Sequence, residues 1–252
     1  MAAGLDEPVA RALAERCQEL GYASLWSNDH PGANGLETLA AFASASDRLD
    51  LGVAVQALDR HDPDAIAAKI EELGLPRDRL WLGIGAGFSK RPLTKMRDAL
   101  PALRSTLGEV RLVLAAMGPR MCRLAGAEFD GAFFNWMTPD FARGARSQVH
   151  EGAREAGHEA PPVFGYVRTA VGPDASERLA AEEGFYRDLH DGYRNHFARL
   201  GEPEGTVGVA VPDHDSAQRE LARYESLDEL VVRGLTSATA GAMTALAEAA
   251  AP

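Results

Sequence analysis

The feature of this sequence that most constrains its fold is a regular alternation of amphipathic helical segments with short segments rich in β-forming residues. Nearly all of the β-rich segments are apolar on both faces, which is typical of parallel strands covered by helices. The sequence therefore predicts an α/β protein. The strands are expected near residues 23–27, 49–56, 80–86, 110–116, 131–136, 163–171 and 229–233.

Strict alternation over 252 residues is typical of a single TIM-type (β/α)8 parallel barrel, so residues 1–252 are predicted to form one domain. A closed barrel has eight strands, and only seven can be counted here, because the chain opens with a helix where the first strand is expected. A shortened N-terminus and a natural seven-stranded barrel both explain the deficit. An open doubly wound sheet is the alternative architecture.

The missing first strand predicts a gap between the strands near residues 23–27 and 229–233. Unpaired strand edges promote aggregation. We therefore expect the gap to be narrowed, covered by a loop or filled by a partner chain.

Several helix boundaries can also be predicted. Asp62-Pro63 and Thr138-Pro139 combine a capping residue with a proline in the first helical position. Pro101 predicts a kink or two short helices within residues 91–107. One long helix is expected after the strand at 163–171, because apolar residues recur there at helical spacing: Tyr186, Leu189, Tyr193, Phe197 and Leu200.

The charge balance excludes several classes of partner. The sequence has 26 Lys and Arg against 37 Asp and Glu, a formal net charge of −11, which disfavours nucleic acid and anionic membranes. No apolar run approaches the roughly 20 residues of a membrane helix, and no signal peptide is recognisable. Cys17 and Cys122 are expected to be reduced, buried thiols. A soluble, cytoplasmic protein is the resulting expectation.

Two motifs follow predicted strands and could bind a cofactor. The glycines at 83, 85 and 87 are spaced GxGxG rather than GxGxxG, so they are a weak dinucleotide signature, but they would let a flat ring approach the backbone. Met117-Gly118-Pro119-Arg120 places a proline at a helix start, where free N–H groups and the helix dipole favour an anion. The competing interpretation of the second motif is an ordinary turn with a solvated arginine.

Asn28-Asp29-His30 follows another predicted strand, at the end of a parallel barrel where active sites lie. His30 could act as an acid or base near neutral pH, with Asp29 positioning it; the alternative is a surface histidine. The other histidines have no metal-ligand spacing, and HExxH and GxSxG are absent. No metal site is expected, and metal-dependent and serine hydrolases are poor interpretations.

Taken in order, a set of stretches resembles the bacterial luciferase-like oxidoreductases over nearly the whole chain. The stretches are Ala14-Glu15, Glu19-Leu20-Gly21-Tyr22-Ala23-Ser24-Leu25-Trp26, Asp29-His30, Arg60-His61-Asp62-Pro63, Leu82-Gly83-Ile84-Gly85-Ala86-Gly87, Gly118-Pro119-Arg120-Met121, Leu124-Ala125-Gly126, Asp130-Gly131, Asn135-Trp136, Thr138-Pro139 and the last strand, Leu230 to Arg233. The stretch from Gly118 to Gly131 is most similar to the branch that uses the deazaflavin coenzyme F420.

The resemblance implies a hydride transfer between coenzyme F420 and a small-molecule substrate, and a homodimer. It implies that His30, with Asp29, flanks the reactive carbon of the ring as acid and base. It also implies a non-prolyl cis peptide at Ala54–Val55 behind the ring. The remaining cofactor contacts that it implies are Gly85, Ala86 and Gly87 beside the ring, and Met117, Gly118, Pro119 and Arg120 at the phosphate.

Two departures from the family pattern bear on function. Some deazaflavin dehydrogenases have a glutamate directly after the Gly-x-Gly turn, where this sequence has Phe88, so oxidation of a sugar phosphate is not expected. The family's first strand, which lines the ring pocket, is not found. Loss of that strand would permit a catalytically inactive barrel, which is one alternative function; an FMN-dependent monooxygenase that activates oxygen is the other.

Overall fold

The structure, a computed structural model, describes residues 4–252. Within them the strands are β1 (Ser24–Ser27), β2 (Asp50–Ala57), β3 (Leu80–Gly85), β4 (Arg111–Ala115), β5 (Gly131–Asn135), β6 (Val163–Val171), β7 (Val209–Val211) and β8 (Glu229–Gly234). The α-helices are α1 (Glu7–Glu19), α2 (Gly35–Ala45), α3 (Pro63–Glu72), α4 (Pro92–Leu107), α5 (Pro119–Glu128), α6 (Pro139–Ala156), α7 (Ala175–Leu189), α8 (Asp191–Leu200), α9 (His214–Leu221) and α10 (Ala240–Ala249).

The strands follow one another around the sheet in chain order. Each of β1 to β6 is parallel to the next, and β8 pairs with β6 on the edge opposite β5. This order has no reversal in the middle of the sheet, so the doubly wound alternative is wrong. All seven predicted strands are confirmed. The short β7 was not predicted; it pairs only with the last three residues of β6.

Large side chains fill the inside of the sheet, as they do in a parallel barrel. Trp26 of β1 packs against Phe133 of β5, with ring centroids 4.8 Å apart, and against Phe164 of β6 at 5.1 Å. The hydroxyl of Tyr166 on β6 donates a hydrogen bond of 2.9 Å to the carbonyl of Ser27 on β1. These contacts join strands from distant positions in the order, so the sheet is curled into a nearly closed barrel.

The barrel has one gap, between β1 and β8, which are not paired in the described part of the chain. On its inner side, Glu229 of β8 accepts hydrogen bonds from the hydroxyl of Ser24 and from the indole of Trp26. On its outer side, α1 packs against α10, and Arg16 forms an ion pair of 2.8 Å with Glu248. The predicted gap is thus present, but helices cover it instead of a loop.

The predicted helix starts are confirmed, but one predicted helix is wrong. The side chains of Asp62 and Thr138 accept hydrogen bonds from N–H groups of the first turns of α3 and α6, as predicted. α4 is one helix despite Pro101. The single long helix expected after β6 is wrong: the chain is extended at His190, whose imidazole caps α8 through the N–H of Gly192.

None of the helices in residues 4–252 is both long and apolar enough to cross a membrane. Cys17 and Cys122 are buried, free thiols, as expected, and burial raises the pKa of each to about 12.

Candidate active site

The predicted site residues lie at one end of the barrel. They follow β1, β3 and β4 or belong to β2 and the last residue of β3, and these four strands are consecutive parallel neighbours. Carboxyl ends of parallel strands form the functional face of such a barrel. We call this end the mouth, defined by the segments at residues 28–30, 54–61, 85–88 and 116–120.

Asp29 is the best-connected polar group of the mouth. Its side chain is 1% exposed, forms an ion pair of 2.5 Å with Arg60 and is hydrogen-bonded to Nε2 of His61 at 2.9 Å. It also accepts hydrogen bonds of 3.2 Å from the Gln56 amide and the Gly35 N–H. Burial alone would raise the pKa of Asp29, but the bonds from Arg60 and His61 outweigh it and lower that pKa. Asp29 is therefore a carboxylate that holds the segments after β1 and β2 together.

His30 lies beside this network without joining it. Its side chain is exposed, its main chain pairs with Ala33 in a tight turn, and its Nδ1 accepts a hydrogen bond of 3.1 Å from the N–H of Gly32. The other ring nitrogen, Nε2, is thus the one available to a substrate. The structure pairs Asp29 with His61, not with His30, so the sequence missed His61 as the partner of that carboxylate. The catalytic role of His30 stays a prediction.

The floor of the mouth is formed by β2 and β3, which approach each other closely. The Ala54–Val55 peptide bond is cis, as predicted, and the pairing register of the two strands shifts between Val53 and Gln56. A Cβ at Gly83 would stand 2.4 Å from the carbonyl oxygen of Val53, and one at Gly85 would stand 2.8 Å from Cγ2 of Val55. A side chain at position 83 would therefore collide with the backbone of β2, and one at position 85 would force the Val55 side chain to move.

The turn after β3 explains the third glycine of the motif. Gly87 has φ +61, and a Cβ there would collide with the carboxylate of Asp59. That carboxylate accepts a hydrogen bond of 3.0 Å from the N–H of Phe88. The preceding residue, Ala86, is buried. The GxGxG spacing thus has a structural explanation in the packing of β3 and its turn, independent of any ligand.

The start of α5 has the features of an anion site. Its N-cap is Gly118, no side chain caps it, and its first intrahelical bond runs from the N–H of Cys122 to the carbonyl of Gly118. The N–H groups of Arg120 and Met121 precede that bond and have no intrahelical acceptor. The Arg199 guanidinium of α8 is adjacent: a Cβ added at Gly118 would stand 4.0 Å from its Nη2.

The predicted phosphate ligand Arg120 points elsewhere. Its side chain is exposed and lines a groove of about 400 Å³ that also includes Arg97 and Arg123, residues of α4 and α5. The cation that the structure places beside Gly118 is Arg199. No local signal in the sequence could have found it, because it lies on a helix eighty residues downstream.

A second arginine, Arg168 of β6, is buried near the mouth and was also missed. Its guanidinium stacks 4.0 Å above the Trp136 ring and donates a hydrogen bond to the Asn135 side chain. Its Nε has no hydrogen-bond partner among the described residues, and Glu182 is the acid within reach, at 4.0 Å. Burial lowers the pKa of Arg168. Arg168 is thus a buried cation, and neighbouring residues satisfy only some of its hydrogen-bond donors.

The helix pair α7–α8 packs over one side of the mouth. Nε2 of His196 is 2.6 Å from the carbonyl of Trp136, just beyond β5, and His190 packs on Phe88 beyond β3 with ring centroids 4.7 Å apart. Phe88, Phe185 and Leu189 are 56%, 60% and 43% exposed. Phe88 of the mouth, and Phe185 and Leu189 of α7, therefore present apolar side chains to solvent.

The chain belongs to the luciferase-like monooxygenase family, whose match extends over residues 8–111 and 97–249. It is 24% identical over 217 residues to a 5,10-methylenetetrahydromethanopterin reductase of Methanolobus tindarius, covering 71% of this chain and 67% of that protein.

Solved structures with the same fold use two kinds of cofactor. An F420-dependent secondary alcohol dehydrogenase in complex with an F420-acetone adduct has a TM-score of 0.71 at 17% identity, covering 91% of this chain and 89% of the other. The oxygenating constituent of 3,6-diketocamphane monooxygenase from Pseudomonas putida, in complex with FMN, has a TM-score of 0.67 at 15% identity, covering 98% and 92%. At these identities the likeness establishes the barrel fold.

Proposed function

We propose that this chain is an oxidoreductase that transfers a hydride between coenzyme F420 and a small organic substrate. The observation that carries the proposal is the uncapped N-terminus of α5, which opens at the mouth with Arg199 beside it. A helix N-terminus with a neighbouring arginine suits a phosphate group. The F420-dependent reductase and dehydrogenase among the relatives support the choice of cofactor.

The residues of the mouth fit a cofactor that joins a flat ring to a phosphate. Met117, Gly118, Pro119 and Arg120 would hold the phosphate, together with Arg199. The ring would lie against the floor made by Ala54, Val55, Gly85, Ala86 and Gly87. When bound there, the deazaflavin supplies the carbon that takes up or gives the hydride, while the protein orients it and excludes water.

Hydride transfer to or from a carbonyl or imine requires a matching proton movement. We assign this proton to Nε2 of His30, the ring atom that the turn leaves available. Asp29 acts indirectly: its ion pair with Arg60 and its hydrogen bond with His61 hold the segment that carries His30 against the segment after β2.

Two alternatives each have an observation in their favour. The FMN-containing monooxygenase of similar fold favours oxygen chemistry with FMN. The gap between β1 and β8 favours a barrel that has lost its activity, because the wall of the ring pocket is incomplete there. The predictions of a homodimer and of a cytoplasmic location stay predictions.

Titration of the purified protein with F420 and with FMN tests the proposal, with bound cofactor followed by absorbance and fluorescence. We expect F420 to bind more tightly than FMN, and reduced F420 to be oxidised in the presence of a carbonyl or imine substrate. The variant Arg199→Ala should weaken binding, whereas Arg143→Ala, an exposed arginine on α6, should not. Preferential FMN binding with oxygen consumption would replace the proposal by the monooxygenase, and binding of neither by the inactive barrel.

A further inference from the structure

Two arginines occupy neighbouring positions on adjacent strands of the barrel. Arg168 of β6 is the register partner of Arg233 of β8 in the parallel pairing of these strands. Adjacent strands lie about 4.8 Å apart, so register partners on the same face of a sheet have side chains that begin close together. Arg233 is the last residue but one of β8. The pair therefore lies at the carboxyl end of the strands, the end at which the mouth opens.

Both arginines are on the inner face of the barrel. Successive side chains of a strand alternate between its two faces. On β6, Tyr166 is on the inner face, where its hydroxyl bonds β1, and Arg168 comes two residues later. On β8, Val231 packs in the same inner cluster as Trp26, and Arg233 comes two residues later. The two guanidinium groups thus belong to the layer directly above the aromatic core of the barrel.

The described residues supply too little negative charge for this pair. Arg233 is half-buried, and its guanidinium has no ion pair and no hydrogen bond with any residue from 4 to 252. The one acid within reach of Arg168 is Glu182, at 4.0 Å. Burial lowers the pKa of Arg168, and the charge of Arg233 lowers it further. Two cations against one carboxylate leave one positive charge unbalanced, in a chain whose formal net charge is −11.

The buried arginine also has an unused hydrogen-bond donor. Arg168 is 2% exposed, and it donates to the Asn135 side chain and stacks on the Trp136 ring. Its Nε has no hydrogen-bond partner within the described part of the chain, and neither has the buried indole N–H of Trp136. Buried donors are costly to leave unpaired. Both unpaired groups are donors, so an acceptor with negative charge would complete this layer.

We propose that Arg168 and Arg233 bind a carboxylate group of the substrate. The planar fork of a guanidinium matches the two oxygens of a carboxylate. One unbalanced positive charge suits a singly charged carboxylate better than a phosphate ester, which carries nearly two negative charges. That the carboxylate belongs to the substrate rests on the proposed function, in which the ring lies against β2 and β3 and leaves the wall of β6 and β8 to the substrate.

Benzoate is the probe, and benzamide is its uncharged counterpart. Calorimetric titration of the protein without cofactor measures both. We expect benzoate to bind about tenfold more tightly than benzamide, and Arg233→Gln to weaken benzoate binding by about 10–100-fold, as for a hydrogen bond to a charged group. Arg233→Lys, which keeps the charge but not the fork, should weaken it less. Arg194→Gln, a 60% exposed arginine of α8, is the control and should bind benzoate normally.

Arg168→Met distinguishes a binding role from a structural one. Replacing buried charges by apolar side chains of similar volume is often neutral or stabilising. The variant should therefore keep its Tm but bind benzoate about tenfold less tightly. A lower Tm with unchanged benzoate binding would make Arg168 a structural residue and overturn the proposal. If the variant does not fold, the two Arg233 variants decide.

Titration with F420 separates this proposal from the proposed function. Arg233→Gln should bind F420 as the wild type does; a loss of F420 affinity would assign the pair to the cofactor and overturn the proposal. With reduced F420, para-formylbenzoate should have a kcat/KM about tenfold above that of its methyl ester, and Arg233→Gln should remove the difference through KM.

If the wild type binds benzoate through Arg233 but does not bind F420, the proposed function fails and the carboxylate site stands. The proposal itself fails if benzoate binds no better than benzamide, or if Arg233→Gln leaves benzoate binding unchanged. It also fails if phenyl phosphate binds more tightly than benzoate, because the pair would then be a phosphate site.

Discussion

The mouth and the gap are built in contrasting ways. At the mouth, side chains from successive segments bond one another, as Asp29 does with Arg60 and His61, and the backbone of β2 and β3 is in tight contact. At the gap, β1 and β8 are not paired with each other in the described part of the chain, and Glu229 of β8 reaches across to Ser24 and Trp26 of β1. This difference indicates that the chemistry of the mouth and the closure of the barrel between β1 and β8 can vary independently of each other. Changes at the mouth should affect turnover and binding, and changes at the gap should affect stability.

The largest expected effect is on turnover and comes from the mouth. His30→Ala should lower kcat by about 10²–10⁴-fold, the usual contribution of a positioned acid or base. The Tm and the affinity for cofactor should not change, because the side chain is exposed and its hydrogen bond joins it only to Gly32. Steady-state kinetics and cofactor titration measure the two effects. His158→Ala, an exposed histidine after α6, is the control; normal turnover of the His30 variant would remove His30 from the mechanism.

The second largest expected effect is on stability. It tests whether β2 and β3 approach each other as closely as their glycines indicate. Gly83→Ala should lower the free energy of unfolding by about 1–3 kcal/mol, the cost of overpacking, because its Cβ would meet the Val53 carbonyl. Gly144→Ala, at an open position within α6, should instead stabilise by about 0.5–1 kcal/mol. Urea unfolding compares them. If both variants unfold alike, the close approach of β2 and β3 is not as described.

The third effect separates two arginines at the anion site. Arg199→Ala should weaken cofactor binding by about 1–3 kcal/mol, and Arg120→Ala by less, because Arg199 is beside Gly118 and Arg120 lines an outer groove. The sequence alone predicts the full effect for Arg120. Fluorescence titration of both variants distinguishes them. A loss confined to Arg120→Ala would show that its side chain turns inward when the cofactor binds.

The sequence predicted those features that depend on local patterns. Apolar strands and proline-marked helix starts are encoded by consecutive residues, and the strand order followed from the alternation of strands and helices. The pairing of Asp29 with His61, and the placement of Arg199 and Arg168, depend on which loops meet above the barrel. That is a matter of tertiary packing between residues 30 to 80 positions apart. The break at His190 was missed because apolar spacing continues across it.

The smallest expected effect is a pH dependence of the free energy of unfolding, caused by Glu229 in the gap. Burial raises the pKa of Glu229 above its ordinary value of 4.5. The folded state therefore keeps this proton to higher pH than the unfolded state, so stability falls as pH rises from 4.5 through the folded pKa. The slope for one group is at most about 1.4 kcal/mol per pH unit. Asp29 has the opposite sign, because its lowered pKa removes stability as pH falls, and so it acts in a lower pH range.

Glu229→Gln should flatten the fall of stability above pH 4.5, since the amide does not titrate, whereas Glu225→Gln, an exposed glutamate before β8, should leave it unchanged. Urea unfolding between pH 4 and pH 8 measures both curves. If Glu229→Gln has the same pH dependence as the wild type, Glu229 is not a buried carboxyl that bridges the gap.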